Sequence, residues 1–417
     1  MKISAISTNT LRNRAAPRMF DSMARHSLFR LLRNIEGGTI TLTEGGQTHR
    51  FGRTEDDLTY RDPIHVHINV SDPAFYRMIL LRGSIGAGEA FMLDFWQVSD
   101  LTGAIRLICR NMRHLERMDG GITKLGLGLQ RLKHWLSPNT LRGSKRNIHA
   151  HYDLSNDLFE YFLDSRMMYS AAMYPDTKCD LETAAAYKLQ QVGEKLALTP
   201  DDHVIEIGTG WGGLAIYLAE EFGCRVTTTT ISHEQHEYAK ARIFEKGLQD
   251  RITLLEKDYR LLDGQYDKLV SIEMIEAVGH RFLPAYFDKC NALLKPGGRM
   301  LIQAITIPEQ RYEYAKRNID FIQRYIFPGG SLPSIEVILN NTGKHSDLQI
   351  EHLDDIGLDY ALTLKHWRQR FMRDPEDIIR MGFDDYFIRL WNFYLSYCEG
   401  GFMERAISTH QVVFRKV

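Results

Sequence analysis

The sequence contains no apolar run that approaches the ~20 residues needed to span a bilayer. Its N-terminus shows no apolar signal core with a small-residue cleavage site. Five scattered cysteines form no CxxC pair and no disulfide spacing, which excludes a disulfide scaffold and argues against a structural zinc site. We therefore expect a cytoplasmic protein that binds no metal.

The length of the chain indicates two domains, and its charges form two basic clusters. At 417 residues the chain exceeds a typical single domain, and we predict a small α+β domain over 1–145 and a second domain over 146–417. The net charge of −1 hides arginine- and lysine-rich clusters in residues 1–35 and 106–146. Such clusters suit nucleic acid or an anionic membrane surface.

Within residues 19–35, apolar residues recur at helical spacing. This predicts an amphipathic helix that lies on a membrane surface or, as we favour, packs on its own domain.

A glycine-rich turn follows an apolar strand at residues 203–207 and precedes a helical pattern. Strand, glycine turn and helix together predict a nucleotide cradle. A dinucleotide would want an acidic residue at the end of the next strand, 225–231, which has none. The pattern Glu206-x-Gly208-x-Gly210-x-Gly212 instead suits S-adenosylmethionine, whose sulfonium and amino acid end need close backbone approach and nearby negative charge.

Strands and helices alternate regularly from residue 200 onward, which predicts an open α/β sheet. We expect a Rossmann-like fold with a seven-stranded, mostly parallel sheet and helical, aromatic-rich insertions suited to a lipid chain. Asp258 follows the third predicted strand, and Glu273 and Glu276 lie at the end of the fourth. The carboxyl ends of such strands line the ligand crevice, so these carboxylates are candidate ligands.

Motifs in a specific order make the chain resemble the cyclopropane-fatty-acyl-phospholipid synthases. These are bacterial S-adenosylmethionine-dependent enzymes related to the mycolic acid cyclopropane synthases, with a class I methyltransferase domain. The motifs span 150–159, 169–170, 207–213, 230–235, 258–260, 274–279, 327–334 and 359–360. Residues 75–100 also resemble the N-terminal lipid-side domain that the mycolic acid enzymes lack, which favours a membrane phospholipid as the substrate.

The resemblance implies a donor site that agrees with the cradle. Tyr169, Ser170, Gly208, Gly210 and Trp211 would hold the methionine end of the donor, and Glu206 of the glycine motif is a further candidate there. Thr230 and Gln235 would serve the ribose, and Asp258 and Tyr259 would border the adenine.

The family reaction is methyl transfer to a cis double bond of an acyl chain, followed by proton loss from the new methyl group and ring closure. A bicarbonate acts as the base, held by a glutamate, a histidine, a tyrosine and the backbone at a cysteine. Glu276 and Tyr360 match the glutamate and tyrosine, whereas Ala171 replaces the cysteine and Ala277 and Gln303 replace histidines. Gln303 donates a hydrogen bond but cannot change charge as histidine does. An anion site on Tyr360, Gln303 and backbone amides would be weaker or differently placed.

Two products therefore stay open: a cyclopropane fatty acid, or a methyl- or methylene-branched chain. A non-catalytic lipid-binding relative is a further alternative, against which Glu276, Tyr360 and the complete cradle argue. A nucleic acid methyltransferase would want a base-flipping motif such as Asn-Pro-Pro-Tyr, which is missing. The resemblance implies a homodimer on the inner face of the membrane that acts on unsaturated phospholipid acyl chains and binds no nucleic acid.

Overall fold

A computed structural model describes residues 18–52, 62–112 and 155–417. The predicted linker near 137–144, the predicted domain boundary at 145 and most of the second basic cluster lie outside these residues. Two compact units are formed. The first holds the described residues of Met1–Lys133 together with Asn318–Ile326 and Met372–Glu404, and the second holds those of His134–Arg317, Phe327–Phe371 and Arg405–Val417. Two later segments thus join the N-terminal unit.

The first unit begins with a small α+β arrangement. Its elements are α1 (Arg18–Leu32), β1 (Gly38–Glu44), β2 (Gln47–Phe51), β3 (Ile64–Val70), α2 (Ala74–Met92), β4 (Trp96–Val98) and α3 (Leu101–Arg110). The strands form one sheet in the order β2-β1-β3-β4. Helix α1 buries Leu28 and Leu32 and leaves Met19 and Met23 exposed, so its apolar stripe is packed on the domain over only part of its length.

Helix α2 consists of two helical segments joined at Gly83, whose φ of +54° and ψ of −129° lie outside the helical region. The glycines that follow allow close packing. A Cβ on Gly88 would lie 2.4 Å from the ring of Phe321, so the missing side chain makes room for an aromatic one.

The remaining elements alternate as the sequence predicts. In chain order they are α4 (Asn156–Phe162), α5 (Leu181–Leu196), β5 (His203–Ile207), α6 (Gly213–Glu221), β6 (Arg225–Thr230), α7 (His233–Glu245), β7 (Ile252–Glu256), β8 (Tyr266–Ile272), α8 (Leu283–Leu293), β9 (Leu294–Thr306), α9 (Glu309–Arg317), α10 (Phe321–Tyr325), α11 (Ile335–His345), β10 (Leu348–Asp355), α12 (Gly357–Phe371), α13 (Pro375–Arg380), α14 (Asp385–Met403) and β11 (Ser408–Lys416). Of these, α10, α13 and α14 belong to the first unit. None of the helices described is long and apolar enough to cross a membrane.

A seven-stranded sheet forms the centre of the second unit, in the order β10-β11-β9-β8-β5-β6-β7. Strands β5 to β9 pair in parallel, and β11 is antiparallel to both β9 and β10. The predicted Rossmann-like fold is thereby confirmed. The chain continues from β5 to β6 on one side of the sheet and later places β8 on the other side of β5. The carboxyl ends of β5 and β8 therefore form the switch point at which such sheets bind ligands.

Apolar residues cover both faces of this sheet. Ile205, Leu269 and Ile302 pack on the face that α8 covers. Val204 and Leu301, one residue along their strands, pack with α5 and α6 on the other face. Because side chains alternate along a strand, Glu206, Gln303 and Gln411 point to the face of α5, where each is at most 2% exposed. The sheet thus places three polar side chains where α5 covers them.

The sheet's stability should depend on Leu269, which is fully buried in β8. We expect Leu269→Ala to lower the free energy of unfolding by about 2–5 kcal/mol, through lost burial and a residual cavity. Urea unfolding of the full chain measures the effect. Leu261→Ala is the matched control, since Leu261 is 51% exposed, and equal midpoints for the two variants would contradict the expectation.

Candidate active site

The loop between β5 and α6 has the backbone of an open cradle. Gly208, Gly210 and Gly212 have φ angles of +107°, +54° and +86°, in the region that favours glycine. The N–H groups of Gly208 and Thr209 donate to the carbonyl of Thr229 at 3.1 and 3.0 Å, which ties the loop to β6. A Cβ on Gly210 would meet nothing within 4 Å. The space before this loop is therefore free for a ligand to approach the backbone.

Glu206 lies beneath the loop with its carboxylate held by threonines. Thr228 donates its hydroxyl to Glu206 Oε2 at 2.5 Å, and the hydroxyls of Thr209 and Thr228 lie 2.6 Å apart. Burial raises the pKa of Glu206 to about 8, although Thr228 and the charge of Lys188 oppose the shift. An acidic side chain thus lies next to the cradle, and its raised pKa means that it is mostly protonated near neutral pH until a cation binds beside it.

Lys188 supplies a buried positive charge between the acidic groups. It is fully buried in α5 and donates from Nζ to Ser170 Oγ at 3.1 Å. Burial lowers the pKa of Lys188 to about 8, while the carboxylates of Glu273, Asp164 and Glu206 favour its charged form. The predicted donor residue Ser170 therefore lies beside a cation that links the cradle with the end of β8.

Tyr169 and Trp211 lie in an aromatic cluster. The Tyr169 ring lies 5.2 Å from the rings of Phe159 and Trp367. Trp211 packs at 4.8 Å from Phe159, and its indole N–H donates to Asn156 Oδ1 at 2.9 Å. Trp211 is only 2% exposed, so this contact fastens the glycine loop to α4.

The two residues predicted for the ribose meet each other directly. Thr230 ends β6 and donates its hydroxyl to Gln235 Oε1 at 3.1 Å, while the Ser232 N–H donates to Thr230 Oγ1 at 3.2 Å. Both side chains lie at the carboxyl edge of the sheet, at the start of α7.

Asp258 and Tyr259 also lie at this edge, after β7. The Asp258 carboxylate accepts from Arg260 Nε at 2.8 Å and from Nη2 at 2.7 Å. Tyr259 packs at 5.6 Å from the ring of Tyr286, and burial raises its pKa above the ordinary value. The structure thus brings every predicted donor residue to one end of the sheet, and their roles stay predictions.

Glu273, immediately after β8, is the centre of a second group of contacts. Its Oε1 accepts from the N–H of Ala171 at 2.9 Å and from Gln303 Nε2 at 2.7 Å, and its Oε2 accepts from the hydroxyl of Tyr360 at 2.7 Å. Burial raises the pKa of Glu273, while these three donors and the charge of Lys188 oppose the shift. Four separate elements therefore converge on one carboxylate.

The backbone at Glu273 is held in an uncommon conformation. Its φ is +49°, a region that non-glycine residues seldom occupy and that costs of order 1–3 kcal/mol. The Glu273 N–H donates to the carbonyl of Gln303 at 2.7 Å, so the neighbouring strand holds the turn. This conformation directs the carboxylate to its three donors.

Glu276 lies apart from the residues with which the sequence analysis grouped it. Its Oε1 accepts from the N–H of Ile305 at 2.5 Å, and its Oε2 is buried without a hydrogen-bond partner. Burial, and next the charge of Glu273, raise the pKa of Glu276 to about 8. Tyr360 and Gln303 therefore hydrogen-bond to Glu273, a residue that the resemblance does not include in the anion site.

The residues present do not fit a bicarbonate ion. Three groups expected to hold it are the tyrosine hydroxyl, the side chain at the histidine position and the backbone N–H at the cysteine position. Here these are Tyr360, Gln303 and Ala171, and all three donate to Glu273. A carboxylate fixed to the chain thus uses the donors that the resemblance assigns to a free anion. The sequence feature that indicates this group of contacts is Glu273 itself, an acidic residue at the carboxyl end of a strand.

The fold and the cradle define a class I S-adenosylmethionine-dependent methyltransferase. The family model for mycolic acid cyclopropane synthetase matches residues 139–412. A similar solved structure is the mycolic acid cyclopropane synthase CmaA1 complexed with SAH and CTAB. It matches at a TM-score of 0.61 and 26% identity, over 65% of this chain and 98% of that one. The chain belongs to this cyclopropane synthase family.

Two curated relatives match most of the chain. The tuberculostearic acid methyltransferase UfaA1 of Mycobacterium tuberculosis is 40% identical over 356 residues, which cover 81% of this chain and 80% of the relative. The cyclopropane-fatty-acyl-phospholipid synthase of Escherichia coli is 35% identical over 362 residues, which cover 84% and 87%. The family thus includes both methyltransferases and cyclopropane synthases by name.

The open space at Gly210 leads to a test of the cradle. We expect Gly210→Ala to weaken S-adenosylhomocysteine binding at least tenfold, because the added methyl group would enter the space before the loop. Titration calorimetry measures the affinity. Gly247→Ala is the matched control, since Gly247 also has a positive φ, +66°, with nothing within 4 Å of an added Cβ. Both variants incur similar backbone strain of about 1–2 kcal/mol, so equal affinities would contradict a cradle at Gly210.

Proposed function

We propose that this enzyme transfers a methyl group from S-adenosylmethionine to the double bond of an unsaturated acyl chain of a membrane phospholipid. The observation that carries the proposal is the Glu273 carboxylate, held by three donors at the switch point of the sheet. Methylation of an alkene creates a carbocation that must lose a proton, and a fixed carboxylate is a suitable acceptor.

The length of the alignment with one relative supports a phospholipid substrate. The relative named a cyclopropane-fatty-acyl-phospholipid synthase aligns over 84% of this chain, more than the segment 139–412 that the family model covers. The alignment therefore extends beyond the methyltransferase domain. The exposed Met19 and Met23 of α1, with the exposed Arg30 on the same helix, suit contact with an anionic membrane surface. The homodimer and the inner-face location stay predictions.

The donor residues are proposed to keep the roles that the resemblance implies. When bound, S-adenosylmethionine supplies an electrophilic methyl group on a sulfonium. Gly208 and Gly210 would admit its methionine end, with Tyr169, Ser170, Glu206 and Trp211 around it. Thr230 and Gln235 would hold the ribose, and Asp258 and Tyr259 would border the adenine. The positive sulfonium would lower the raised pKa of Glu206, and the ionised carboxylate would then attract the sulfonium in a site from which water is excluded.

Apolar and aromatic surroundings protect the proposed carbocation. Tyr360, whose hydroxyl donates to Glu273, lies 6.0 Å from the ring of Trp367, which lies 5.2 Å from Tyr169. Aromatic faces attract cations, by about 0.5–2 kcal/mol for an ordinary pair. A poor nucleophile such as an alkene reacts only when it is positioned well in a dry site.

Glu273 is proposed as the catalytic proton acceptor. An ionised carboxylate offers about four acceptor positions, and three are used, two on Oε1 and one on Oε2. Oε2 thus keeps capacity for a proton from the substrate. Burial raises the pKa of Glu273, which makes the ionised form a better base.

The product that we propose is a methylene-branched acyl chain. A hydride shift moves the positive charge to the carbon that carries the new methyl group, where the cation is tertiary and more stable. Loss of a methyl proton to Glu273 then leaves a methylene branch, with a net gain of CH2. The relative that is 40% identical is named a methyltransferase, and the fixed base replaces the free anion of ring-forming members. The second candidate is the cyclopropane, since another relative is named a cyclopropane synthase.

Isotope labelling of the methyl donor separates these products. In a host that expresses this protein and receives CD3-methionine, we expect new acyl chains that retain two deuterium atoms, because Glu273 removes one. A ring and a methylene branch have equal mass, so chromatography against standards of both distinguishes them. Only ring lipids would overturn the branched product. Retention of all three deuterium atoms would contradict proton loss from the methyl group.

A second test concerns which carboxylate is the base. We expect Glu273→Gln to lower kcat by about 10²–10⁴-fold, the usual contribution of a positioned acid or base, with little change in KM for the donor. Glu276→Gln is the matched control, with a much smaller loss expected because glutamine keeps an acceptor for the Ile305 N–H. In the wild type, kcat should fall as pH drops through the pKa of Glu273, above the usual carboxylate range, since only the ionised form accepts a proton. A larger loss for Glu276→Gln would overturn the assignment.

A further inference from the structure

A row of polar side chains crosses the sheet and ends at Glu273. Lys195 Nζ donates to Gln411 Oε1 at 2.6 Å, Gln411 Nε2 donates to Gln303 Oε1 at 2.9 Å, and Gln303 Nε2 donates to Glu273 Oε1 at 2.7 Å. At its outer end, Lys195 also pairs with Asp354. The row therefore runs without a gap from a cation at the sheet's rim to the proposed base.

Strand register explains why the row exists. Gln411 of β11 is the direct partner of Gln303 on β9 and of Asp354 on β10. Lys195 reaches this row from the last turn of α5, which packs on the same face of the sheet. Opposed residues on neighbouring strands hold their side chains close together, so three strands and one helix bring the row into contact.

The direction of the row has one consistent solution. A lysine ammonium has only donors, and an ionised carboxylate has only acceptors. Gln411 must therefore present its carbonyl oxygen to Lys195 and its NH2 group to Gln303. Gln303 then accepts from Gln411 with its oxygen and must turn its NH2 group to Glu273. The same NH2 group also lies 3.3 Å from the carbonyl of Ala171, to which it donates. The cation at one end of the row and the acceptors at the other thus favour the same amide orientation.

Burial makes this orientation costly to reverse. Gln303 and Gln411 are both fully buried, so water cannot replace a lost partner, and an unsatisfied buried polar group is unfavourable. A reversed Gln303 would also place its oxygen against Glu273 Oε1, two acceptors at the distance of a hydrogen bond. Consecutive hydrogen bonds polarise one another, which strengthens the donation to Glu273.

We infer that Lys195 and Gln411 are positioning residues, which lock the amide of Gln303 so that it donates to Glu273 and keeps this base ionised. The inference rests on the proposed function of Glu273 and extends it to two residues that do not touch the base. Other titratable groups that face Glu273 are Lys188 on α5, Tyr360 on α12 and Glu276 beyond β8. They stay in place when Lys195 or Gln411 is changed.

The test uses Gln411→Met in the full chain, a change that keeps the length of the side chain and removes its hydrogen bonds. Without Gln411, the amide of Gln303 is no longer held in one orientation. Glu273 then loses a fixed donor, and its pKa should rise. We expect the acid limb of the kcat profile to move up by about one pH unit, a roughly tenfold loss of kcat below that limb. KM for the donor should change little, whereas the melting temperature should fall somewhat because the buried Gln303 Oε1 loses its donor. Gln349→Met is the matched control, since Gln349 lies on the neighbouring strand β10 and is exposed.

Lys195 provides an independent variant at the rim, should Gln411→Met fail to fold. We expect Lys195→Met to move the acid limb in the same direction, and Lys195→Arg to restore the profile, because arginine is also a pure donor. A merely structural lysine would change the melting temperature without moving the limb. Folded Gln411→Met and Lys195→Met with unchanged profiles would overturn the inference.

A measurement that does not require catalysis distinguishes this inference from the proposed function. The Glu273 carboxyl can be titrated by 13C NMR with labelled glutamate, and its signal assigned by its loss in Glu273→Gln. A higher pKa in Gln411→Met supports the row even if the wild type transfers no methyl group, in which case the proposed function alone fails. An unchanged pKa in an active enzyme would overturn the row and leave the proposed function standing.

Discussion

Burial of charge is the constraint on which the rest of this site depends. An ionised carboxylate leaves water only when donors replace its hydration, and Glu273 has three such donors with Lys188 nearby. Those donors come from the loop after α4, from β9 and from α12. The site is therefore assembled only when the second unit is complete, which couples its chemistry to its fold.

In the proposed mechanism, the same carboxylate supplies a base without a free anion. The donors that the resemblance assigns to bicarbonate are present in modified form, and a side chain from the end of β8 fills the place between them. The substitutions at Ala171 and Gln303 are consistent with this change. A backbone N–H survives any side chain at 171, and a glutamine donates to a carboxylate without needing to titrate.

Much of the fold was predictable because its signals are local. The apolar runs of β5 to β9, the glycines after β5 and the helical patterns between strands gave the observed order, with ends that differ by a few residues. The resemblance supplied the candidate donor residues, whose roles stay predictions, and the carboxyl ends of parallel strands place several of them at one edge. The packing of Gly88 against Phe321 could not be predicted, because it joins residues far apart in sequence.

The α/β architecture, the nucleotide cradle and the acidic residues after β8 follow from the sequence, because hydrophobic periodicity and glycine turns depend on neighbours along the chain. The contacts of Glu273 with Tyr360 and Gln303 become visible only in three dimensions. Glu273 and Glu276 lie three positions apart, and Glu273 is directed to these donors by a backbone of positive φ. The same holds for the row from Lys195 to Gln303, since strand register and helix packing unite residues far apart in sequence.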